Sequence, residues 1–300
     1  MRGSYNDPMR ATHDRETRLV LPPWPVLVIA AVILTINISM VFVGGWTTGV
    51  SWDEPYHVER LQNYFDHGWY LLSEYLENGA PAPWVQDTYV YAPVTALVGH
   101  AVAVLLRREG LTHIAATADA YAARHLAVGL IAVLGLAAVA GIVRLLFQSW
   151  RWGLLAAATM SAIPLWTGHG MFNIKDTPVA TGYTFVTLGL ILLSTLGVFT
   201  SRRLRYTAIT TITCGVVVSV GTRPGIWPAL AGSVLVMFVA TLWSDAQRTT
   251  FKRSLGKIAM RAAMILAALI SSYLILLVIY PNAFSTPLEV ARRAATESAN

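Results

Sequence analysis

Residues 19–52, with the sequence LVLPPWPVLVIAAVILTINISMVFVGGWTTGVSW, contain no Asp, Glu, Lys or Arg. A helix needs about 20 mostly apolar residues to cross the ~30 Å hydrocarbon core of a bilayer. Because lipid offers the backbone no hydrogen-bond partners, a crossing segment must be helical. The stretch is too long for the apolar core of a signal peptide, and no small-residue cleavage site follows it. We therefore interpret it as a retained membrane anchor.

Further runs without charged residues follow along the chain, and they decide the fold class. Only 13% of the residues are charged, against about 25% in soluble domains. The sequence predicts an all-α, polytopic membrane bundle of about 7–8 spans, with a polar tail at 1–18, a membrane module at 19–285 and an outer tail at 286–300. The outer tail is expected to begin a C-terminal part that the chain lacks. The long runs are 126–143, 177–201, 224–244 and 262–286, and the shorter ones are 91–106, 152–168 and 206–222.

The charge distribution predicts which end of the bundle faces the cytoplasm. The loop 46–91 holds seven of the sixteen acidic residues and only one Lys or Arg, Arg60. Basic residues instead cluster at 202–205 and 248–261, beside apolar runs, which is typical of cytoplasmic loops. The net charge of +6 therefore does not indicate nucleic-acid binding. The single cysteine, Cys214, lies in a predicted span and indicates no disulfide framework.

The loop 46–91 is also rich in aromatic residues. Apolar residues from Val58 to Tyr75 recur near helical spacing, which predicts interfacial helices with their rings at headgroup depth. This loop and Lys175 are both predicted to lie outside, yet three apolar runs separate them, and an even number of crossings is needed. We expect the short run 91–106 to insert without crossing, and re-entry by another run stays an alternative.

Two motifs at the outer face carry ionisable groups. Asp53 and Glu54 follow the first span directly, where a carboxylate can accept the proton of an attacking hydroxyl or help to hold a metal. Simple solvation of a loop explains the pair equally. Residues 169–180, HGMFNIKDTPVA, place His169, Asn173, Lys175 and Asp176 at the mouth of a span. A helix cap at Asp176 with a snorkelling Lys175 is the structural alternative.

Two further sites carry cations. Arg223, in a Pro-Gly turn between spans, is predicted to lie outside, against the usual bias, and phosphate capture would explain it. A tight turn with a snorkelling arginine is the alternative. Arg124 and His125 precede the run 126–143, and we interpret them as residues of a span boundary.

In these residues the chain resembles the GT-C glycosyltransferases. It is most similar to the bacterial protein O-mannosyltransferase and aminoarabinose-transferase-like group, over roughly residues 24–290. The similarity rests on Asp53-Glu54 after the first span and, above all, on residues 169–180. The segments 91–93 and 122–126 occupy the family's places for the second and third apolar segments. A lysine usual beside the second apolar segment is missing, and members usually run well past 300 residues.

The resemblance implies a membrane glycosyltransferase that takes a sugar from a polyprenyl-phosphate donor in the lipid and transfers it, with inversion, to an acceptor on the non-cytoplasmic face. It implies Asp53 as general base, Glu54 as its acidic neighbour and Asp176 as a second acidic position. We add Lys175 and Arg223 as phosphate contacts, and His57, His169 and Asn173 as substrate contacts. A divalent metal, held by Asp53 and Asp176, stays open.

The sequence also leaves other functions and the acceptor open. An inactive or truncated membrane scaffold would make Asp53 and Asp176 dispensable. A transporter would carry ionisable residues in the middle of its spans, where this chain has almost none. The expected location is a bacterial plasma membrane, with a cytoplasmic N-terminus and an outward-facing site.

Overall fold

The fold is that of a computed structural model, which describes residues 21–195, 201–248 and 251–297, with side chains omitted at 246–248 and 251–254. The predicted polar tail 1–18 and the side chains of Arg248, Lys252 and Arg253 lie outside the described part. Twelve α-helices make up most of that part, so the all-α prediction is confirmed. They are α1 (Trp24–Thr47), α2 (Glu54–His67), α3 (Val94–Leu105), α4 (Ala118–Phe147), α5 (Trp150–Ser161), α6 (Pro164–Phe172), α7 (Asp176–Ser194), α8 (Arg202–Val220), α9 (Trp227–Arg248), α10 (Phe251–Ile279), α11 (Pro281–Phe284) and α12 (Pro287–Glu297).

Five of these helices are long and apolar enough to cross a membrane, and they correspond to the five longest charge-free runs. They are α1, α4, α7, α9 and α10. Many large apolar side chains on them are exposed, for example Ile29 at 59% and Val278 at 82%. Exposed apolar surface on this scale fits a lipid environment. The chain is therefore an integral membrane protein.

The other runs form helices that follow the same bundle axis. The run 152–168 becomes two helices because Pro164 cannot continue α5 and instead begins α6. At one end of the pair, Arg151 lies over the ring of Trp24, at the start of α1. At the other end, Met171 lies against Gly44, near the end of α1. The α5–α6 pair therefore runs parallel to α1 along its length.

The helix α3 enters and leaves at one end of the bundle. The Nδ1 atom of His125, near the start of α4, lies 2.7 Å from the carbonyl oxygen of Gly45, near the end of α1. The two helices are therefore antiparallel, and residues 48–117 begin and end at the same level. With 12 residues, α3 is about 18 Å long, too short for the ~30 Å core. We call this end, where α1 ends and α7 begins, the site end.

Close packing between α7 and α8 forms the centre of the bundle. A Cβ atom added to Gly215 would lie 2.6 Å from the carbonyl oxygen of Gly182, so the two helices touch backbone to backbone. Around this contact Val186, Leu193 and Ile212 are buried, together with residues of α9 and α10. Small residues permit such approach in membranes, where lipid provides no hydrophobic drive for helix association.

The loop 46–91, for which the sequence predicts interfacial helices, contains one α-helix and one 3₁₀ turn. The helix α2 ends at Gly68, whose φ of +76° is a left-handed conformation that glycine adopts without strain. A single 3₁₀ turn at Ser73–Tyr75 and a hairpin of strands β1 (Leu76–Glu77) and β2 (Ala80–Pro81) follow. Asn78 and Gly79 both have positive φ, as a two-residue hairpin turn requires.

The predicted outer tail 286–300 is helical through Glu297 and docks on the site end. Val290 and Ala294 of α12 are buried. The indole nitrogen of Trp227 donates a hydrogen bond to the carbonyl oxygen of Ala291 at 2.8 Å. The amphipathic α12 thus lies across the start of α9.

Candidate functional site

The two motifs predicted from the sequence meet at the site end. The Lys175 ammonium lies 2.5 Å from Oδ2 of Asp53, and both side chains are about one-quarter exposed, at 24% and 26%. The hydroxyl of Ser51 donates a hydrogen bond to Oδ1 of the same carboxylate at 2.8 Å. Burial alone would raise the pKa of Asp53, but the hydrogen bonds from Lys175 and Ser51 and the Lys175 charge outweigh it and lower that pKa. Asp53 is therefore held as a carboxylate.

Asn173 organises the turn that leads into α7. Its side-chain oxygen accepts the backbone N–H groups of Lys175 at 3.0 Å and Asp176 at 2.8 Å. Its side-chain nitrogen lies 2.9 Å from Oδ2 of Asp176 and 3.2 Å from Nδ1 of His169. The first N–H groups of a helix have no partner within the helix. Because the Asn173 side chain accepts them, α7 can begin at this point. Asn173 therefore acts first as a structural residue of the motif.

Asp176 and Arg223 form the outer rim of the site. Their closest nitrogen and oxygen atoms are 3.8 Å apart, and His169 lies 3.9 Å from the same carboxylate. The Asp176 side chain is 50% exposed and that of Arg223 is 42% exposed. The predicted cap by Asp176 is absent, because its side chain points to these partners, and it is Asn173 that accepts the first N–H groups of the helix. Both groups are open to an incoming ligand.

Glu54 does not share the exposed setting of Asp53. Its residue is 7% exposed, and its Oε1 lies 2.5 Å from Nε2 of His125, which is 1% exposed. Its Oε2 accepts the backbone N–H of Ser51 at 2.6 Å. The adjacent carboxylates therefore have different tasks, since one faces Lys175 and the other is enclosed by α4.

His57 lies one turn after Asp53 in α2 and is also buried. Its Nδ1 lies 3.0 Å from the hydroxyl of Tyr70, and its ring meets Tyr91 edge-on at 5.8 Å. Burial, with the positive charges of Arg60 and Lys175, lowers the pKa of His57 to about 3. The imidazole is therefore neutral at physiological pH.

Two small cavities lie beneath the Asp53–Lys175 pair. One, of about 20 Å³, is lined by Glu54, His57 and His125 among others, and the second, of about 10 Å³, by His57, Tyr91 and Lys175 among others. Each has room for about one water molecule. Any larger ligand would therefore have to approach from the exposed rim.

A larger, apolar groove lies between α7 and α9. It has a volume of about 610 Å³, within the range of ligand sites. In its wall, the hydroxyl groups of Tyr183 and Ser233 are hydrogen-bonded, with their oxygens 2.6 Å apart. Since Tyr183 is seven residues into α7, this part of the groove is about 10 Å along the helix from Asp176. Its remaining lining is mostly apolar or small and includes Leu190, Ala229, Gly232, Val236 and Met237.

Sequence reasoning missed a second buried network beside the site. The Glu109 carboxylate is fully buried. Its Oε1 lies 2.5 Å from the Arg124 guanidinium, and its Oε2 lies 2.6 Å from Nδ1 of His100. Arg124 and His125, interpreted from the sequence as residues of a span boundary, lie about two turns into α4, where both are buried and hydrogen-bonded. A signal was present, since Thr117 caps the helix and Asp119 lies in its first turn, which is typical of a helix start.

The carboxylates at the site end are arranged around cations. Lys175 contacts Asp53, and Arg223 lies near Asp176. In the described part of the chain, no group of three or more His, Cys, Asp or Glu side chains could hold a metal ion. Asp53 and Asp176 therefore do not form a ready metal site in this arrangement.

The chain matches no protein-family model, no curated protein and no solved structure.

Proposed function

We propose that the chain is a membrane glycosyltransferase of GT-C type, which transfers a sugar from a polyprenyl-phosphate donor to an acceptor on the non-cytoplasmic face. One observation carries the proposal. The Asp53 carboxylate and the motif with Lys175 and Asp176, far apart in sequence, meet at one end of a membrane bundle, at a rim that remains accessible. A base beside cations is the arrangement that glycosyl transfer from a lipid phosphate needs.

In the proposed reaction, Asp53 acts as the general base. Its carboxylate removes the proton of an acceptor hydroxyl as that oxygen forms a bond to the anomeric carbon of the sugar. The bond between the anomeric carbon and the phosphate oxygen breaks, and the polyprenyl phosphate leaves with the electron pair. Attack opposite to the leaving group inverts the anomeric carbon. The lowered pKa of Asp53 keeps the base ionised before the acceptor binds.

The cations at the rim support the leaving group. Arg223 is 42% exposed, and its ionic contact with Asp176 is long at 3.8 Å, so its guanidinium can turn to a phosphate. Lys175 lies between the base and this rim. Both charges favour the negative charge that develops on the departing phosphate. His169, next to Asp176, is placed to hydrogen-bond the same group.

The groove between α7 and α9 supports a lipid donor. Its wall is mostly apolar, it lies along the membrane-crossing part of α7, and one end approaches Asp176. Arg223 immediately precedes the turn that begins α9. A prenyl chain in the groove would place its phosphate near Arg223, while the sugar extends toward Asp53.

The topology that we propose has seven crossings, made by α1, α4, α5 with α6, α7, α8, α9 and α10, whereas α3 re-enters. Basic residues such as Arg144, Arg202 and Lys257 then lie at the end opposite the site. The positive-inside rule places that end in the cytoplasm and the site outside, on the outer face of a bacterial plasma membrane.

The test measures transfer from radiolabelled polyprenyl-phosphate sugars in membranes that carry the full chain. Asp53→Asn should lower transfer by about 10²–10⁴-fold, the contribution of a general base. Asp66→Asn is the matched control, because Asp66 is an exposed carboxylate of the same helix, hydrogen-bonded to Gln62. Equal transfer by Asp53→Asn and the unchanged protein would remove Asp53 from the reaction. No transfer by the unchanged protein would favour an inactive scaffold.

A further inference from the structure

Glu54 and His125 hold a proton between them in a buried setting. The carbonyl oxygen of Gly45 can only accept a hydrogen bond, so Nδ1 of His125, at 2.7 Å from it, carries a hydrogen. Nε2 lies 2.5 Å from Oε1 of Glu54, and two lone pairs would repel at this distance. One proton therefore lies between these atoms, either on an imidazolium or on a carboxylic acid. In both forms the buried pair has no net charge, which limits the cost of its burial.

The pair connects three separate elements at the site end. His125 belongs to α4, Gly45 to the last turns of α1, and Glu54 is the first residue of α2. The other oxygen of Glu54 accepts the N–H of Ser51, and the hydroxyl of Ser51 donates to Asp53. The turn 51–54 is thus closed by its own hydrogen bonds and attached to the bundle through the His125 imidazole as well as through the Asp53–Lys175 pair.

We infer that His125 is a positioning residue of the proposed site, because through Glu54 it fixes the turn that presents the Asp53 carboxylate to Lys175 and to the acceptor. The catalytic part of this inference rests on the proposed function. Glu54 accordingly acts as the link between His125 and the turn. A general base that moves by about 1 Å loses its alignment with the acceptor, which can cost about 100-fold in rate.

The chain offers a matched control in His100. This histidine is also buried, at 6% exposed, and its Nδ1 lies 2.6 Å from the carboxylate of Glu109. Its network joins α3 to Arg124 and does not include the turn 51–54. A loss of stability alone would affect His100 and His125 variants alike, whereas a positioning role belongs to His125.

Two substitutions of His125 by an amide side chain distinguish its hydrogen bond to Glu54 from its hydrogen bond to Gly45. In His125→Gln the amide nitrogen can take the place of Nε2 and still donate to Glu54, whereas in His125→Asn it can take the place of Nδ1 and reaches only Gly45. We expect His125→Asn to lose about 10- to 100-fold in kcat with little change in donor KM, and His125→Gln to recover most of it. His100→Gln, whose amide replaces Nε2 and so loses the contact of Nδ1 with Glu109, should retain its kcat per folded molecule. Equal kcat in the Asn and Gln variants of His125 would overturn the inference.

A second readout does not depend on transfer. The chain has only three lysines, so acetylation of Lys175 by N-hydroxysuccinimide acetate can be followed by mass spectrometry against Lys252 and Lys257. His125→Asn should increase the labelling rate of Lys175 several-fold, because the released Asp53 no longer holds the ammonium, while His125→Gln and His100→Gln should not. Unchanged labelling in His125→Asn would overturn the route through the turn 51–54.

The transfer assay and the Lys175 labelling together distinguish a failure of the proposed function from a failure of the inference about His125. If the unchanged protein transfers no sugar but the labelling contrast is observed, the proposed function fails and the positioning role of His125 stands. If transfer is observed but His125→Asn changes neither kcat nor labelling, the inference fails and the proposed function stands. Should His125→Asn fail to fold, Glu54→Met replaces it, because a thioether side chain cannot link His125 to Ser51; reduced kcat and faster Lys175 labelling are expected, and unchanged values contradict the inference.

Discussion

Lys175 and Asp53 should be energetically coupled, and the strength of the coupling follows from their partial burial. At an effective dielectric constant of about 20, two charges in contact attract by about 4 kcal/mol. Ordering the lysine side chain costs about 2 kcal/mol, and desolvation removes part of the remainder. With side chains 24% and 26% exposed, the net coupling should be about 1–2 kcal/mol, above the 0.2–1 kcal/mol typical of exposed pairs.

A double-mutant cycle measures this coupling. The free energies of unfolding of Asp53→Asn, Lys175→Met and the double variant are compared with that of the unchanged protein by denaturant titration in detergent micelles. The pair should stabilise the fold above the ordinary aspartate pKa and lose its effect as the pH falls through the lowered pKa of Asp53. The pair Arg292–Glu289, whose arginine side chain is 69% exposed, is the control and should couple more weakly than Asp53 and Lys175. Additivity within about 0.3–0.5 kcal/mol for Asp53 and Lys175 would refute the reasoning.

Three further predictions concern the backbone, the buried histidine and the rim. Gly68→Ala should lower the free energy of unfolding by about 1–3 kcal/mol, because φ is +76° there and a Cβ atom would lie 2.6 Å from Asn282, whereas Gly49→Ala meets no atom within 4 Å and should be tolerated. His57 binds a proton more readily in the unfolded chain, so stability should fall as the pH decreases from 6.5 toward 3, and His57→Gln should flatten this dependence in thermal unfolding curves. Arg223→Met should raise the donor KM about 10-fold or more, since charge-assisted hydrogen bonds contribute about 1.5–3 kcal/mol, and Arg223→Lys should raise it less; an unchanged KM in Arg223→Met would remove this residue from donor binding.

The long helices could be predicted because their signal is local. A run without charges identifies a helix that can cross a membrane from composition alone, as residues 177–201 do for α7. The start of α8 at Arg202 was not predicted, because its three arginines belong to the helix and not to the preceding loop. The hydroxyl of Ser201, which accepts the N–H of Leu204, begins the helix at that point. A charged first turn is compatible with a helix end that reaches the membrane surface.

The site was predictable where charge alone indicated it. Charged residues beside the hydrocarbon core are costly and are usually paired or functional, and this reasoning selected Asp53, Lys175 and Asp176. The structure places all three at the site end of the bundle. The partnership of Glu54 with His125 was not predictable, since it depends on how α4 packs against α1. Only a three-dimensional contact distinguishes Glu54, which is enclosed, from its exposed neighbour.

The docking of α3 has a consequence for biogenesis. The backbone N–H groups of Ala92 and Val94 donate to the carbonyl oxygens of Thr222 and Gly221, which are synthesised much later. At about 5–20 residues per second, a ribosome needs roughly ten seconds to reach them. During that interval α3, too short to remain in the bilayer by its own length, has no lasting partner at its first turn. Nascent chains halted after α7 should therefore expose residues 91–94 to a protease on the proposed outer face, and the completed site is a late product of translation.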